Sequence, residues 1–212
     1  MWSRRAFGVS LLAAGLVSGC VDSTRPTPLV PTARAAAIQA LRDLQGFAVT
    51  QDYRAVGFAS PDEARRSQLG DPLTISEIGV ERLRAYSPGA PVDDLLTPSP
   101  QTLYPVTVNG AVKSSVTIVR ERDAFRPSAF GGPALIGPLS AYRQYVGGVS
   151  DTVVRVPALN LVFLARRRAA GLMLVPVFAE PDIGLPVGRE TPAASAAERM
   201  SRLVQDYDGL PG

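Results

Sequence analysis

The side chains that most often carry out chemistry in proteins are scarce in this sequence. It has no histidine and a single cysteine, Cys20, among 212 residues. Without histidine there is no Ser-His-Asp or Cys-His catalysis, no imidazole metal ligand and no imidazole pH switch. A single cysteine excludes an intrachain disulfide and a cysteine-rich metal site. Composition therefore disfavours most enzyme classes, and we expect neither catalytic residues nor a cofactor.

Two catalytic arrangements are still possible with the residues that are present. The first is a pair of carboxyl groups, one acting as an acid and the other as a base or nucleophile. Candidate acidic pairs in the sequence are Asp93 with Asp94, Glu121 with Asp123, and Glu180 with Asp182. Their spacing selects none of them, so solvated loop acids are the simpler interpretation.

Lys113 and Ser115 offer the second arrangement, because a lysine can serve as the base where histidine is missing. The two residues lie on a predicted strand and share one face of it, whereas Ser114 lies on the opposite face. A hydrolase that uses a carboxylate pair or this Ser-Lys pair is therefore one alternative for the function. An exposed lysine on a strand is the simpler interpretation.

Arg166, Arg167 and Arg168 form the densest positive cluster in the chain, in a segment that we predict to be a turn between strands. Guanidinium groups bind carboxylates and anionic lipid headgroups. We therefore take the three arginines as candidate interaction residues, although charges at a hairpin tip are usually just solvated.

The first 20 residues, MWSRRAFGVSLLAAGLVSGC, have the organisation of a secretory signal. Arg4 and Arg5 provide a positive start, and residues 9–17 form an apolar core that is too short to span a bilayer. Two small residues then precede Cys20. This segment resembles a bacterial lipoprotein signal peptide, whose lipobox ends in small residues directly before a cysteine.

The resemblance implies that residues 1–19 are removed, that Cys20 carries a diacylglyceryl thioether and that its new amine is acylated, with palmitate as a typical chain. The protein would then be held in the cell envelope by lipid, with its domain in the periplasm of a Gram-negative cell. Val21 stands where an aspartate would signal inner-membrane retention, which favours the outer membrane. Removal of the leader lowers the net charge from +3 to about +1, so no electrostatic case for nucleic acid remains.

The chain behind this leader divides into a tether and one domain. Residues 20–32 contain three prolines and no periodicity, which is typical of a short, stiff tether. Residues 33–209 then form a single predicted domain. Its clearest local signal is Asn109-Gly110 between two alternating runs, which predicts a two-residue β-hairpin over 102–119.

The remaining elements are read from periodicity and capping. Helices are predicted over 33–45 with Gly46 as the stop, after Ser60-Pro61, over 133–146, and from Thr191-Pro192 onward. Strands are predicted over 53–58, 73–79 and three runs between 152 and 178, while 80–86 fits either element. Segments 87–100 and 181–190 are predicted to be surface loops. These elements predict an α+β fold, with an antiparallel sheet built from hairpins and three to four packing helices.

A five-residue run in the second half suggests another function. Gln144-Tyr145-Val146-Gly147-Gly148 is similar to the Q-x-V-x-G loop of the cystatin family of cysteine-protease inhibitors. That family packs a helix on an antiparallel sheet and works without catalytic residues. The resemblance implies inhibitory contacts from Gln144, Val146 and Gly148.

The sequence as a whole favours a lipid-anchored cell-envelope protein with a non-catalytic α+β domain for binding or scaffolding. Its partner would be a protein or another envelope component, bound at the loops of a rigid sheet. A cystatin-like protease inhibitor and a hydrolase are the alternatives.

Overall fold

The computed structural model describes residues 32–132, 135–139, 152–179 and 183–205. These residues contain nine strands, which are β1 (Gln68–Leu69), β2 (Leu73–Ile78), β3 (Leu96–Val108), β4 (Ala111–Glu121), β5 (Ala124–Phe130), β6 (Thr152–Val156), β7 (Leu161–Arg168), β8 (Gly171–Pro176) and β9 (Thr191–Pro192). The helices are α1 (Ala33–Thr50), α2 (Pro61–Arg65), α3 (Val80–Arg84), a helical segment α4 at 135–139, and α5 (Ala193–Gln205). Single 3-10 turns lie at Val92–Leu95 and Pro157–Leu159.

All nine strands belong to one sheet, with the order β5-β4-β3-β2-β6-β7-β8-β9 and β1 paired to β3 outside this path. Every described pairing is antiparallel except that of β2 with β6, which is parallel. The predicted α+β class is confirmed. The parallel pairing was not predicted, because its two strands lie far apart in the sequence and neither carries a pattern that names its neighbour.

The register of the central strands places both large helices on the same face of the sheet. Thr74 of β2 pairs with Thr102 of β3 on one side and with Thr152 of β6 on the other. Tyr104 lies two residues beyond Thr102 in β3, and Val154 lies two residues beyond Thr152 in β6. Because side chains alternate along a strand, Tyr104 and Val154 lie on the same face of the sheet. Tyr104 packs in a core with α1, and Val154 packs in a core with α5. The opposite face carries a third core, to which α4 contributes Ile136 and Leu139.

The predicted hairpin is confirmed in its position and its turn. β3 and β4 pair up to Val108 and Ala111, which leaves Asn109 and Gly110 as the two turn residues. Their φ angles are 51° and 80°, the left-handed values that this turn type requires.

Helix α1 starts where predicted but continues past the predicted stop. The Thr32 hydroxyl accepts a hydrogen bond from the amide of Ala35 at 3.1 Å, which caps the helix. Gly46 does not end it, and α1 runs on to Thr50. Its buried face consists of Leu44 and four alanines, which are Ala36, Ala37, Ala40 and Ala48. Ile38 is 41% exposed, so α1 packs on the sheet through small side chains.

The predicted strand over 53–58 is wrong, since 51–57 form turns. The Asp52 carboxylate accepts hydrogen bonds from the amides of Arg54 and Ala55, and the amide of Phe58 donates to the carbonyl of Tyr53. A side chain that binds its own local backbone competes with strand pairing. Phe58 is nevertheless buried against α1, so its hydrophobicity indicated burial rather than a strand.

Two other boundaries differ from the prediction. The expected loop 87–100 holds a 3-10 turn, and β3 already begins at Leu96. Prolines are tolerated at 98 and 100 because β4 pairs with β3 only from Gln101 onward. On that side of β3, residues 96–100 have no strand partner that would need a backbone amide donor. At the other end of the chain, Thr191–Pro192 pairs with β8 as strand β9, and α5 begins at Ala193.

Glycine substitutions test the length of α1 and the hairpin turn together. An added Cβ meets nothing within 4 Å at either Gly46 or Gly110, so only the backbone differs between the two sites. Gly46→Ala should raise the free energy of unfolding by about 0.5–1 kcal/mol, because alanine favours a helix interior. Gly110→Ala should lower it by about 1 kcal/mol, because the turn needs a positive φ. Urea unfolding measures both, and a stabilising Gly110→Ala would contradict the hairpin.

Candidate interaction surfaces

The three consecutive arginines do not lie in a turn but at the end of strand β7, and the pleat of the strand separates them. Arg166 and Arg168 lie on one face, and Arg167 lies on the other. Arg166 is only 3% exposed. The turn itself is formed by residues 169 and 170, followed by Gly171 at a φ of 114°.

Each arginine forms an ion pair with an acid from a neighbouring loop. A carboxylate oxygen of Glu190 lies 3.7 Å from Nη1 of Arg166 and 2.6 Å from Nη2 of Arg168. Nη2 of Arg167 lies 2.5 Å from Oδ1 of Asp93, in the 3-10 turn before β3. The arginines thus connect β7 to the predicted loops at both of its faces. Their role in binding a partner stays a prediction.

Lys113 and Ser115 are each bonded to a different partner. Nζ of Lys113 lies 2.9 Å from Oε1 of Glu63, whose carboxylate is mostly buried. The hydroxyl of Ser115 donates to the carbonyl of Gly131, beside the end of β5. In the structure, the two side chains are thus held by contacts with α2 and with the end of β5 rather than by a hydrogen bond to each other.

Two carboxyl groups in the described residues have a lowered pKa, the opposite of the raised pKa of a general acid. The pKa of Glu63 is lowered, first by the hydrogen bond that its Oε2 accepts from the Ala59 amide and then by Lys113. The pKa of Glu121 is lowered by its hydrogen bond from Arg126. Asp93 pairs with Arg167, while Glu180 and Asp182 lie outside the described residues. Within the described ranges, no group of three or more potential ligands is placed to hold a metal ion.

An apolar groove of about 340 Å³ lies between the C-terminal half of α1 and the end of the edge strand β5. It is lined by Leu44 and Phe47 of α1, Val56, Phe130 of β5 and a single charged residue, Asp43. Phe47 is 41% exposed and Phe130 is 46% exposed. Two half-exposed phenylalanines around a groove are a feature of surfaces that contact apolar partners. Sequence reasoning missed this groove, because nothing in the pattern of α1 shows that its alanines rather than its large side chains face the sheet.

A second depression, of about 320 Å³, lies in the region predicted to bind a partner. Its lining comes from α3 and the 3-10 turn and includes Arg82, Tyr86 and Asp94. The hydroxyl of Tyr86 is buried and makes no hydrogen bond within the described part of the chain. Arg82 and Asp94 place charged groups at this depression, and alanine, proline and leucine side chains form much of the rest of its lining, so it suits a partner that offers both polar and apolar groups.

Several predicted site residues fall outside the part of the chain that the structure describes. These are Cys20 and the cystatin-like residues Gln144, Val146 and Gly148. Among the helices in the described ranges, none combines the length and the hydropathy needed to cross a bilayer.

Comparison with known proteins gives no match: no family model, no curated protein and no solved structure is significantly similar to this chain. The features of the sequence and the surfaces described above are therefore the guides to the function.

The Glu63 contacts predict a pH-dependent stability. Because folding lowers the pKa of Glu63, its contribution is present above the pKa of the unfolded chain and is lost as pH falls through the folded-state pKa. Glu63→Gln should therefore cost about 1 kcal/mol at neutral pH, and this cost should shrink in acid. Urea unfolding of both proteins between neutral and acidic pH measures the difference. Glu121→Gln, at an exposed ion pair, is the control and should have a smaller effect.

The neighbouring serines of β4 provide a matched pair of variants. Ser114 is fully buried and its hydroxyl has no hydrogen-bond partner within the described part of the chain, whereas the Ser115 hydroxyl donates to Gly131. Ser114→Ala should leave the free energy of unfolding unchanged or raise it by up to about 1 kcal/mol, because it removes an unsatisfied polar group. Ser115→Ala should lower it by about 1 kcal/mol. Equal losses in thermal or urea unfolding would show that this assignment of the two serine contacts is wrong.

Proposed function

We propose that this chain is a lipid-anchored cell-envelope protein whose α+β domain binds a protein or another envelope component without catalysis. The observation that carries this proposal is the order of features at the N-terminus. Arg4 and Arg5, a short apolar core and two small residues precede Cys20, which is the only cysteine of the sequence. This order resembles a lipoprotein signal, and lipid on Cys20 gives stable attachment when two or more acyl chains are present.

The position of the domain relative to Cys20 supports an anchor with a short reach. α1 is capped by Thr32, which lies twelve residues after Cys20. A chain of that length spans at most about 40 Å when fully extended. The domain would therefore stay close to the bilayer surface, where it would bind its partner in the envelope.

The contacts of the polar side chains support a binding role over catalysis. Lys113, Ser115 and Asp93 are each engaged in a contact that holds two elements together. We take the depression beside α3, which presents Arg82 and Asp94, as the surface for a partner. It adjoins the 3-10 turn whose Asp93 pairs with Arg167 of β7, and its Tyr86 and Leu95 are buried in the core under α5.

Replacing the cysteine tests the anchor directly. Cys20→Ser should abolish the incorporation of labelled palmitate, because serine supplies no thiol for the thioether. The protein should then accumulate as precursor or appear in the aqueous phase of a detergent partition. Metabolic labelling followed by partitioning measures both properties.

A matched control changes the residue two places earlier. Ser18→Ala keeps a small residue before the cysteine and should take label as the unaltered protein does. If the unaltered protein takes no label and partitions into the aqueous phase, the proposed anchor is wrong.

A further inference from the structure

The C-terminal half of α1 exposes apolar side chains that a surface helix normally buries. Its contact with the sheet is made by alanines and Leu44, while Phe47 and Val49 are left at the surface. A helix that packs through small residues comes close to the sheet, and its larger side chains then extend past the contact. Phe47 reaches the rim of the apolar groove in this way.

The other rim of the groove is formed by an edge strand that is unsuited to pairing with a further strand. β5 contains Pro127, which has no amide to donate, and Ser128 is the extra residue at a register shift in its pairing with β4. The Ser128 hydroxyl donates to the carbonyl of Thr117. Prolines and bulges on an edge oppose the addition of a strand from another chain. The groove therefore does not fit a partner that binds by extending the sheet.

The lining of the groove selects hydrocarbon over a charged ligand. Four of its five residues are aromatic or aliphatic, and the fifth is the acid Asp43. An anionic headgroup or a fatty-acid carboxylate would be repelled by Asp43, whereas an uncharged acyl chain would contact the two phenylalanines. The volume of about 340 Å³ lies in the range of sites that hold small apolar ligands.

The position of the groove along α1 brings it within reach of the membrane that would hold Cys20. Phe47 lies fifteen residues after the helix cap at Thr32, which is about 22 Å along the helix axis. The chain from Cys20 to Thr32 spans up to about 40 Å when fully extended, which is longer than this distance. The anchored domain is thus able to turn the α1–β5 edge toward the bilayer.

We propose that the α1–β5 edge lies in the surface of the anchoring membrane, with Phe47 and Phe130 among the acyl chains of its lipids. The inference rests on the proposed lipid anchor, and it adds an orientation and a second, protein-based membrane contact. In this orientation the contact is to hydrocarbon, so it is insensitive to salt. The depression beside α3 is lined by residues that pack with α5 in the other half of the sheet and stays available to a partner.

Tryptophan fluorescence tests this orientation, because Trp2 is the only tryptophan of the sequence and would leave with the signal peptide. Phe47→Trp and Phe130→Trp each place one reporter at the groove. Phe178→Trp is the matched control, since Phe178 is also about one-third exposed, at 37%, but follows β8. Each variant is expressed with its anchor, purified from membranes and reconstituted into phosphatidylcholine vesicles that contain lipids brominated along the acyl chains.

The expected result is quenching of the tryptophans at 47 and 130 that exceeds quenching at 178 by about twofold or more. The difference should persist at high salt. Two groove variants are used so that a folding defect in one, seen by circular dichroism, leaves the other to decide the result.

Three results would overturn the inference, and one of them also removes the proposed function. Equal quenching at all three positions in labelled, vesicle-bound protein contradicts the orientation while the anchor stands. A tryptophan at 47 that is shielded from water yet not quenched indicates a second copy or another protein in the groove. Protein that takes no palmitate and stays out of the vesicles shows that the anchor itself is wrong.

Discussion

The parallel pairing of β2 with β6 is the contact that the rest of the structure depends on. Thr74 to Glu77 of β2 lie in register with Thr152 to Arg155 of β6, and the hydroxyls of Thr74 and Thr152 are 2.9 Å apart. Within the described residues it is the one strand pairing that joins β1–β5 to β6–β9. Through it, the core under α1 and the core under α5 become neighbours on one face of a continuous sheet. If this ladder opened, each half would expose a new strand edge and part of its core.

This arrangement determines which surfaces are left for function. Arg166, Arg167 and Arg168 are drawn into ion pairs with Glu190 and Asp93, which fasten the flanking loops to β7. Lys113 and Ser115 likewise hold α2 and the end of β5 to β4. Much of the polar chemistry that could be named from the sequence thus maintains the fold. Two surfaces of different character are left at separate parts of the sheet. One is a depression beside α3 with both charged and apolar side chains, and the other is an apolar edge between α1 and β5.

The elements that could be predicted from the sequence are those whose signal is local. Asn109-Gly110 specifies its own turn, and Thr32 and Ser60 cap the helices that follow them. Long-range contacts left no such signal. The run of three arginines shows neither that a strand pleat separates them nor that Glu190 lies beside two of them. The apolar groove was equally hidden, because four alanines form the buried face of α1 and its large side chains do not. The lipid anchor on Cys20 and the cystatin-like run rest on sequence alone.

Native-state hydrogen exchange of the purified protein tests the central claim that the β2–β6 ladder makes the two halves one unit. Amides of β2 and β6 should exchange only through global unfolding, with the same free energy as amides in β4 and β7 and with the same dependence on denaturant. Mass spectrometry of peptides from each strand measures these values. A lower opening free energy for β6–β9 than for β2–β4, with a smaller denaturant dependence, would show that the halves open separately and would contradict this account.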